Sequence, residues 1–191
     1  MSLTFNILIA TIARPQLVSM LNSLKDQLLE DDCLTIVFDG CKQNNTCDLS
    51  EFKCKINIFE EPVALGFWGH AIRTKYAALL EPRTFVMHAD DDDTYISGSF
   101  ESLRKSCVNP TTLYVSKMYG RGNDGIIPRN NVICAGNIGT PNGIIPFELN
   151  KTTSWQNNIF GDGGFYENLQ RVQNELGHDI VFLSDIIYKV G

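Results

Sequence analysis

The stretch TFVMHADDDDTY, residues 84–95, places a mostly apolar run directly before four consecutive aspartates, Asp90–Asp93. The apolar run predicts a buried strand, so the acids stand where that strand reaches the edge of a sheet. Carboxylates a few ångströms apart repel one another by about 1 kcal/mol per pair in water and by more near a protein surface. The run is therefore unfavourable unless a cation binds it, and a solvated acidic turn is the alternative.

The size and composition indicate one globular domain, which we place at residues 1–191, with 43% hydrophobic and 20% charged residues. The formal net charge of −6 and the scattered Lys and Arg residues argue against nucleic-acid binding. Apolar stretches stay far below the roughly 18 residues of a membrane span, so we expect none. The first residues indicate a strand rather than a signal peptide, which favours a soluble, cytoplasmic protein.

The six cysteines show neither a CxxC pair nor the spacing of zinc ligands. Without a secretory signal they are expected to be free thiols, with a Cys41–Cys47 bridge as the alternative. The cysteines therefore predict no zinc site.

Strands and helices alternate before the acidic run. Strands are predicted at 3–11, 33–40, 55–60 and 84–89, and helices at 14–29 and 67–80. Right-handed crossovers place such strands in one largely parallel sheet.

The segment after the acidic run is less regular. It predicts a helix at 99–107, a strand at 111–119, β-like pieces at 131–136 and 142–149 in a Gly/Asn/Pro-rich region, a helix at 164–176 and a strand at 179–190. The whole chain predicts an α/β fold with a mixed, mostly parallel central sheet flanked by helices. The β-like pieces would add partly antiparallel strands.

Polar residues also follow the first two strands. The segment 11–14 ends the first strand and Asp39 ends the second, so both are expected at the same sheet edge as the aspartates. For Asp39-Gly40 alone a turn is the simpler interpretation, but together these segments outline a pocket. One or two aspartates, completed by substrate phosphates and water, are a hard oxygen site for Mg²⁺ or Mn²⁺.

Five segments in this order resemble the nucleotide-sugar glycosyltransferases of the GT-A fold: ATIARP, VFDG, LGFWGHAIRTKYAAL, HADDDDTY and FGDGGFYENL. The resemblance covers nearly the whole chain, with the aspartate run in the place of the DxD motif, and implies a single Rossmann-like GT-A domain. The chain is also similar to the N-terminal domain of a multidomain glycosyltransferase encoded by chlorella viruses. That similarity implies a piece of a longer polypeptide with further domains.

The resemblance implies a UDP-sugar as donor, a glycan hydroxyl as acceptor, and transfer of a hexosyl group such as glucose or rhamnose. Mn²⁺ or Mg²⁺ would be held by Asp92 and Asp90, with Asp91 as the alternative ligand because four acids leave the register open. The residues implied to bind the nucleotide sugar are Thr11, Ala13, Arg14, Asp39, Arg73, Asp90 and Asp91. Many family members carry a metal-binding His after the last strand, which this chain lacks before it ends at Gly191.

Asp162 falls where inverting family members keep the carboxylate that deprotonates the acceptor. An aspartate just before a helix is also a favoured N-cap, so both interpretations stay open, as does the choice between inversion and retention. Gly139, Thr140 and Asn142 fall where the family lines the sugar and acceptor pocket. Trp68 and His70 are weighed as packing residues against a donor-site role.

Two rival functions remain. VMHADDDDT also fits the DxDxT signature of haloacid-dehalogenase-type phosphatases, with Asp90 as nucleophile and Asp92 as acid. That family carries the motif on its first strand, whereas three units precede it here. A non-catalytic calcium-binding or carbohydrate-binding module is the second rival, although the EF-hand pattern fails because Tyr95 stands where it needs glycine.

Overall fold

The computed structural model describes residues 3–43, 48–122 and 124–191, which form one mixed sheet covered by helices. The strands are β1 (Phe5–Thr11), β2 (Cys33–Asp39), β3 (Lys55–Glu61), β4 (Phe85–Asp90), β5 (Thr94–Tyr95), β6 (Leu113–Tyr119), β7 (Ile126–Ile127), β8 (Gly143–Pro146) and β9 (Ile180–Lys189). The helices are α1 (Leu17–Leu24), α2 (His70–Tyr76), α3 (Ser99–Ser106), α4 (Phe147–Asn150) and α5 (Gly161–Leu176). Short 3-10 turns cover Phe67–Gly69 and Thr140–Asn142.

The first half of the sheet is parallel, in the order β3-β2-β1-β4. Every residue of β1 and β2 is buried, because helices cover both faces of these strands. Ile7 and Ile9 share an apolar cluster with α1, whereas Leu8 and Ala10 share one with α2 on the opposite face. The predicted α/β class and mostly parallel sheet are confirmed.

The second half continues in the order β8-β6-β9-β5, with β7 added to β6. The long β6–β9 ladder is parallel, and short antiparallel ladders join β8 to β4 and to β6. Residues 142–149 were expected to contribute a strand, and they do so as β8 before turning into α4. The mixed character of the sheet therefore comes from this part of the chain.

Residues 131–136 were predicted as a β-like piece, and this prediction is wrong. Instead of a strand ladder they form a loop with one isolated bridge, from Ala135 to Ile138, and the Asn137 side chain bonds to the backbone of Val132 and of the two residues before the segment. The Asn137 amide nitrogen donates to the carbonyls of Asn130 and Val132 at 3.2 and 2.6 Å, and its oxygen accepts from the Arg129 amide at 2.8 Å. This buried asparagine folds the segment into a loop.

Two helices differ from their predicted bounds. The segment 67–80 was expected as one helix, but its first residues form a turn with positive φ at Phe67, Trp68 and Gly69 before α2 begins at His70. Helix α5 begins at Gly161, one turn earlier than the hydrophobic pattern indicated. The first helix is shortened by residues with positive φ. The second is longer than expected because its first turn, GDGG, contains no hydrophobic residue that would mark it as helical.

Within the described ranges, no helix is both long enough and apolar enough to cross a membrane. The cysteines of these ranges are free thiols, including Cys41. Cys47 lies outside the described residues, so the alternative Cys41–Cys47 bridge stays untested.

Asp32, just before β2, bonds to β1, to the loop that follows α1 and to α3. It is 1% exposed. One oxygen accepts from the Phe5 amide at 2.9 Å, and the other accepts from the Leu29 amide at 2.8 Å and pairs with Arg104 of α3. Burial raises the pKa of Asp32, while these hydrogen bonds and Arg104 oppose the rise.

Replacing Asp32 with Asn should lower the free energy of unfolding by about 3 kcal/mol. One oxygen becomes an NH₂ group that faces amide donors, and Arg104 loses its anionic partner. Urea unfolding followed by circular dichroism measures the change. The control Glu101→Gln breaks the exposed Glu101–Lys105 pair and should leave stability almost unchanged. Equal losses in the two variants would contradict this account.

Candidate functional site

A cleft of about 550 Å³ lies at the carboxyl ends of β1, β2 and β4. Parallel strands bring their carboxyl ends to one edge, which is where open α/β sheets bind ligands. Its lining residues are Ala10, Thr11, Ile12, Arg14, Asp39, Gly66, Trp68, Gly69, His70, Asp90, Asp91, Asp92, Arg121, Thr140, Ile159 and Asp162. Most of the predicted site residues are therefore brought together.

The first two aspartates of the run have separate partners. Asp90 pairs with the Arg73 guanidinium. Asp91 accepts from the Thr11 hydroxyl at 2.6 Å and from the Ile12 amide at 3.2 Å, which ties the acidic loop to the end of β1. Burial raises the pKa of Asp90, and the adjacent Arg73 opposes this rise.

The last two aspartates point to different surroundings. Asp92 pairs with Arg14 at 2.6 Å and lies 3.5 Å from Arg121. Asp93 accepts from the Gly191 amide at 2.8 Å and is 4% exposed. Burial raises the pKa of Asp93 to about 7, against the effect of the Gly191 amide. The four carboxylates thus diverge, and arginines from three distant segments reduce their repulsion.

Arg73 was predicted to lie near the nucleotide, and the structure places it beneath the cleft. It is 0% exposed. Its Nη1 donates to the Trp68 carbonyl at 2.8 Å, and its Nη2 donates to the Ala89 carbonyl at 3.1 Å and contacts Asp90. The guanidinium also lies 5.2 Å from the centre of the Trp155 ring. Arg73 therefore reaches the cleft only through Asp90.

Asp39 and Ala13, both predicted to bind the nucleotide sugar, also make contacts within the protein. The two Asp39 oxygens accept from the amides of Leu65 and Gly66 at 2.6 and 2.8 Å, so this carboxylate holds the loop that borders the cleft. Ala13 has a positive φ of 62° and donates its amide to the Thr11 hydroxyl at 2.9 Å. Its side chain packs against the main apolar cluster.

Asp162 lies in the first turn of α5 and is not the N-cap, which is Phe160. The N-cap interpretation is therefore wrong, because helix α5 starts before Asp162. Its Oδ1 accepts from the Thr140 hydroxyl at 2.8 Å and lies 3.6 Å from His70 Nε2. A carboxylate in the first turn is also stabilised by the positive end of the helix dipole.

Of the three residues predicted in the sugar and acceptor pocket, Thr140 lines the cleft. Asn142 is 0% exposed and instead shapes the loop. Its oxygen accepts from the Gly139 amide at 2.7 Å, and its nitrogen donates to the carbonyls of Ser116 and Ile127. Gly139 and Asn142 therefore position Thr140.

Arg121 and Ile159 line the cleft although neither was predicted as a site residue. Arg121 follows β6 between two glycines, and a lone cation in a glycine-rich loop after a strand was the signal that could have found it. Ile159 is 72% exposed, and an isolated apolar residue before a helix carries no such signal.

The acidic side chains of the cleft are candidates for binding a divalent metal. Within the described part of the chain, no three His, Cys, Asp or Glu side chains converge on one point. His178 is exposed and precedes β9, so it supplies no ligand after the last strand. Mg²⁺ and Mn²⁺ commonly use one or two carboxylates together with phosphates and water. Asp90 and Asp92 therefore form no metal cage by themselves, and a metal bound there would need phosphate and water oxygens to complete its shell.

No model of a known protein family and no curated protein matches this sequence. Among solved structures, the chain is similar to the glycosyltransferase TarS of S. aureus, with a TM-score of 0.71 and 17% identity over 98% of this chain and 36% of TarS. A shorter form of TarS in complex with UDP-GlcNAc gives a TM-score of 0.68 and 17% identity, with 98% and 58% covered. Its complex with UDP gives 0.68 and 16%, with 98% and 60% covered.

The chain thus spans between 36% and 60% of the TarS structures it matches. At these identities the likeness establishes the fold. The fold is the one seen in the TarS structures, a mixed α/β fold with a mostly parallel sheet flanked by helices, as the sequence predicted.

Gly69 should be required for the position of Arg73. It has a φ of +81°, and a Cβ atom there would lie 2.8 Å from both Ala10 Cβ and Arg73 Nη1. Gly98 has the same backbone conformation, with φ +82° and ψ −2° against +81° and −2° at Gly69, but open space around its Cβ position.

Gly69→Ala should therefore destabilise the protein by about 2 kcal/mol more than Gly98→Ala, since both variants have the same unfavourable backbone conformation and only the first overpacks the site. Thermal unfolding of the two variants measures the difference. Similar melting temperatures would show that the Arg73 side chain is not confined here.

Proposed function

We propose that this domain transfers a hexosyl group from a UDP-sugar to a hydroxyl of a glycan acceptor. The observation that carries the proposal is that Asp162 and the acidic run line one cleft at the sheet edge of a GT-A-like fold. The TarS complexes with UDP and UDP-GlcNAc support a nucleotide sugar as ligand of this fold.

The uridine end of the donor is proposed to lie at Thr11 and Asp39. Each Asp39 oxygen accepts one backbone amide, which leaves a lone pair on each oxygen for the imide N–H of uracil. The diphosphate is proposed to lie near Arg14 and Arg121, which are 41% and 66% exposed and are the cations that line the cleft among the described residues. Guanidinium groups match phosphate oxygens in geometry and charge.

A divalent ion, Mn²⁺ or Mg²⁺, is proposed to be held by Asp92 and Asp90. When bound, such an ion supplies Lewis-acid stabilisation of the charge on the departing diphosphate. Arg14 pairs with Asp92 through Nη1 in this structure, so a phosphate would compete with Asp92 for the charge of the same guanidinium. Binding of the metal and the nucleotide is therefore expected to be mutually dependent.

Asp162 is proposed as the base that accepts the hydroxyl proton of the glycan. Thr140 holds its Oδ1, while Oδ2 has no hydrogen-bond partner within the described part of the chain. The side chain is 28% exposed, so an acceptor can reach it. A base in this position implies inversion at the anomeric carbon.

The phosphatase alternative is less well supported. In that alternative Asp90 would be the nucleophile, but Asp90 is paired with a fully buried arginine and follows the fourth strand. The chlorella-virus resemblance, the further domains and the cytoplasmic location stay predictions of the sequence.

Transfer itself tests the proposal. UDP-glucose, UDP-rhamnose and UDP-GlcNAc are incubated with a glycan panel, and UDP release and glycosylated product are measured. Asp162→Asn should lower turnover by about 10²-fold or more, because a general base is lost, while UDP affinity by calorimetry stays constant. Glu167→Gln, an exposed acid on the same helix, should leave turnover unchanged. A wild-type protein that binds UDP but transfers no sugar would contradict the proposed reaction.

The metal makes a separate prediction. Mn²⁺ together with UDP at a hundredfold excess over Kd should stabilise the wild-type fold by about 2.7 kcal/mol, measured by thermal shift. Asp92→Asn should remove this joint effect, because it removes the proposed ligand.

Asp93→Asn is the matched control, since Asp93 turns toward the Gly191 amide. If Asp92→Asn keeps undiminished Mn²⁺-dependent UDP binding, Asp91 and not Asp92 is the side chain that binds the metal.

A further inference from the structure

His70 is a buried histidine beside Asp162 that none of the roles above uses. It is the first residue of α2 and is 4% exposed. Its ring stacks on Trp155 at 5.4 Å between centroids, and Trp155 stacks on Phe165 at 4.1 Å. The imidazole is therefore fixed in orientation.

The two ring nitrogens have different partners. Nδ1 lies 2.8 Å from the Gln156 carbonyl oxygen, which can only accept a hydrogen bond, so Nδ1 carries a proton. Nε2 faces Oδ1 of Asp162 at 3.6 Å. In a neutral imidazole with its proton on Nδ1, Nε2 presents a lone pair to the carboxylate. Two proton acceptors thus face each other across one gap.

The first turn of α5 is shaped for this approach. Gly161 packs against the His70 ring, so that a side chain at this position would overlap with Cε1 and Nδ1. Thr140 holds Asp162 Oδ1 from another side at 2.8 Å. Helix, loop and ring together set the separation of His70 and Asp162.

We propose that His70 is a positioning residue that stores the acceptor's proton after Asp162 has taken it, an inference that rests on the proposed function. The acceptor O–H bond breaks as its oxygen bonds to the anomeric carbon, and the anomeric C–O bond breaks with its electron pair leaving on UDP. The proton moves to Asp162 Oδ1, which faces His70 and has a second lone pair beside the one that Thr140 uses, and from there to His70 Nε2. The result is an imidazolium–carboxylate pair, which returns the proton to solvent after the product leaves.

The test separates proton storage from packing. His70→Asn places an amide NH₂ near the Nδ1 position, so it keeps a donor for the Gln156 carbonyl but has no nitrogen at the Nε2 position. We expect kcat for transfer to fall by about 10-fold or more, with KM for the UDP-sugar and UDP affinity unchanged. A wild-type kcat, or a parallel loss of UDP affinity, would overturn the proposal. The control His178→Asn, at an exposed site, should keep wild-type kcat.

A double variant decides whether His70 acts through Asp162. Because the proton reaches His70 only from Asp162, His70→Asn should add almost nothing to the loss caused by Asp162→Asn. Losses that multiply would overturn the proposal.

His70→Gln is the second variant if His70→Asn does not fold, because its amide can reach the Nε2 position but cannot take up a proton. Wild-type kcat in His70→Gln would assign His70 a hydrogen-bonding role only. If the wild-type protein transfers no sugar, the proposed function fails, whereas active wild type with active His70 variants refutes this inference alone.

Discussion

The buried ion pair between Arg73 and Asp90 is the interaction on which the cleft depends. A fully buried guanidinium is costly unless it is paired, and here both Nη atoms find partners at the end of β4 and in the turn before α2, while Nε has none among the described residues. The Trp68 carbonyl can reach Arg73 because the backbone at Phe67, Trp68 and Gly69 adopts positive φ. The unfavourable turn and the buried charge therefore stabilise each other, and both fix the end of β4.

The acidic run shows how the protein accommodates like charges at a sheet edge. Arginines supply part of the positive charge that the four aspartates need: Arg73 pairs with Asp90, and Arg14 pairs with Asp92 and lies 3.5 Å from Asp91. A nucleotide diphosphate brings further negative charge, which competes with Asp92 for the positive charge of the exposed Arg14 and Arg121. On the proposed function, a divalent ion then restores the balance. The arginine pairs and the metal site are thus compatible.

The parallel half of the fold could be predicted, because β1, β2 and β4 are mostly apolar runs that each end at a polar residue. Asp39 and Asp90 were placed at the correct edge for this reason. The contacts of the site could not be predicted, because they join distant segments: Arg14 and Asp92 are 78 residues apart, and Thr11 and Asp91 are 80 apart. Local patterns also failed at 131–136, where one side chain, Asn137, replaces strand pairing.

The two ends of the cleft are formed by different kinds of structure. The donor end of the cleft consists of strand ends whose positions are set by a core buried on both faces, so the distances between Thr11, Asp39 and Asp90 are constrained by packing. The opposite end, with Thr140 and Asp162, is formed by a 3-10 turn and a helix terminus that follow a long loop. Loops tolerate substitution and insertion better than doubly covered strands. A change of acceptor is therefore expected to require changes in 120–160, while the donor end stays as the parallel strands define it.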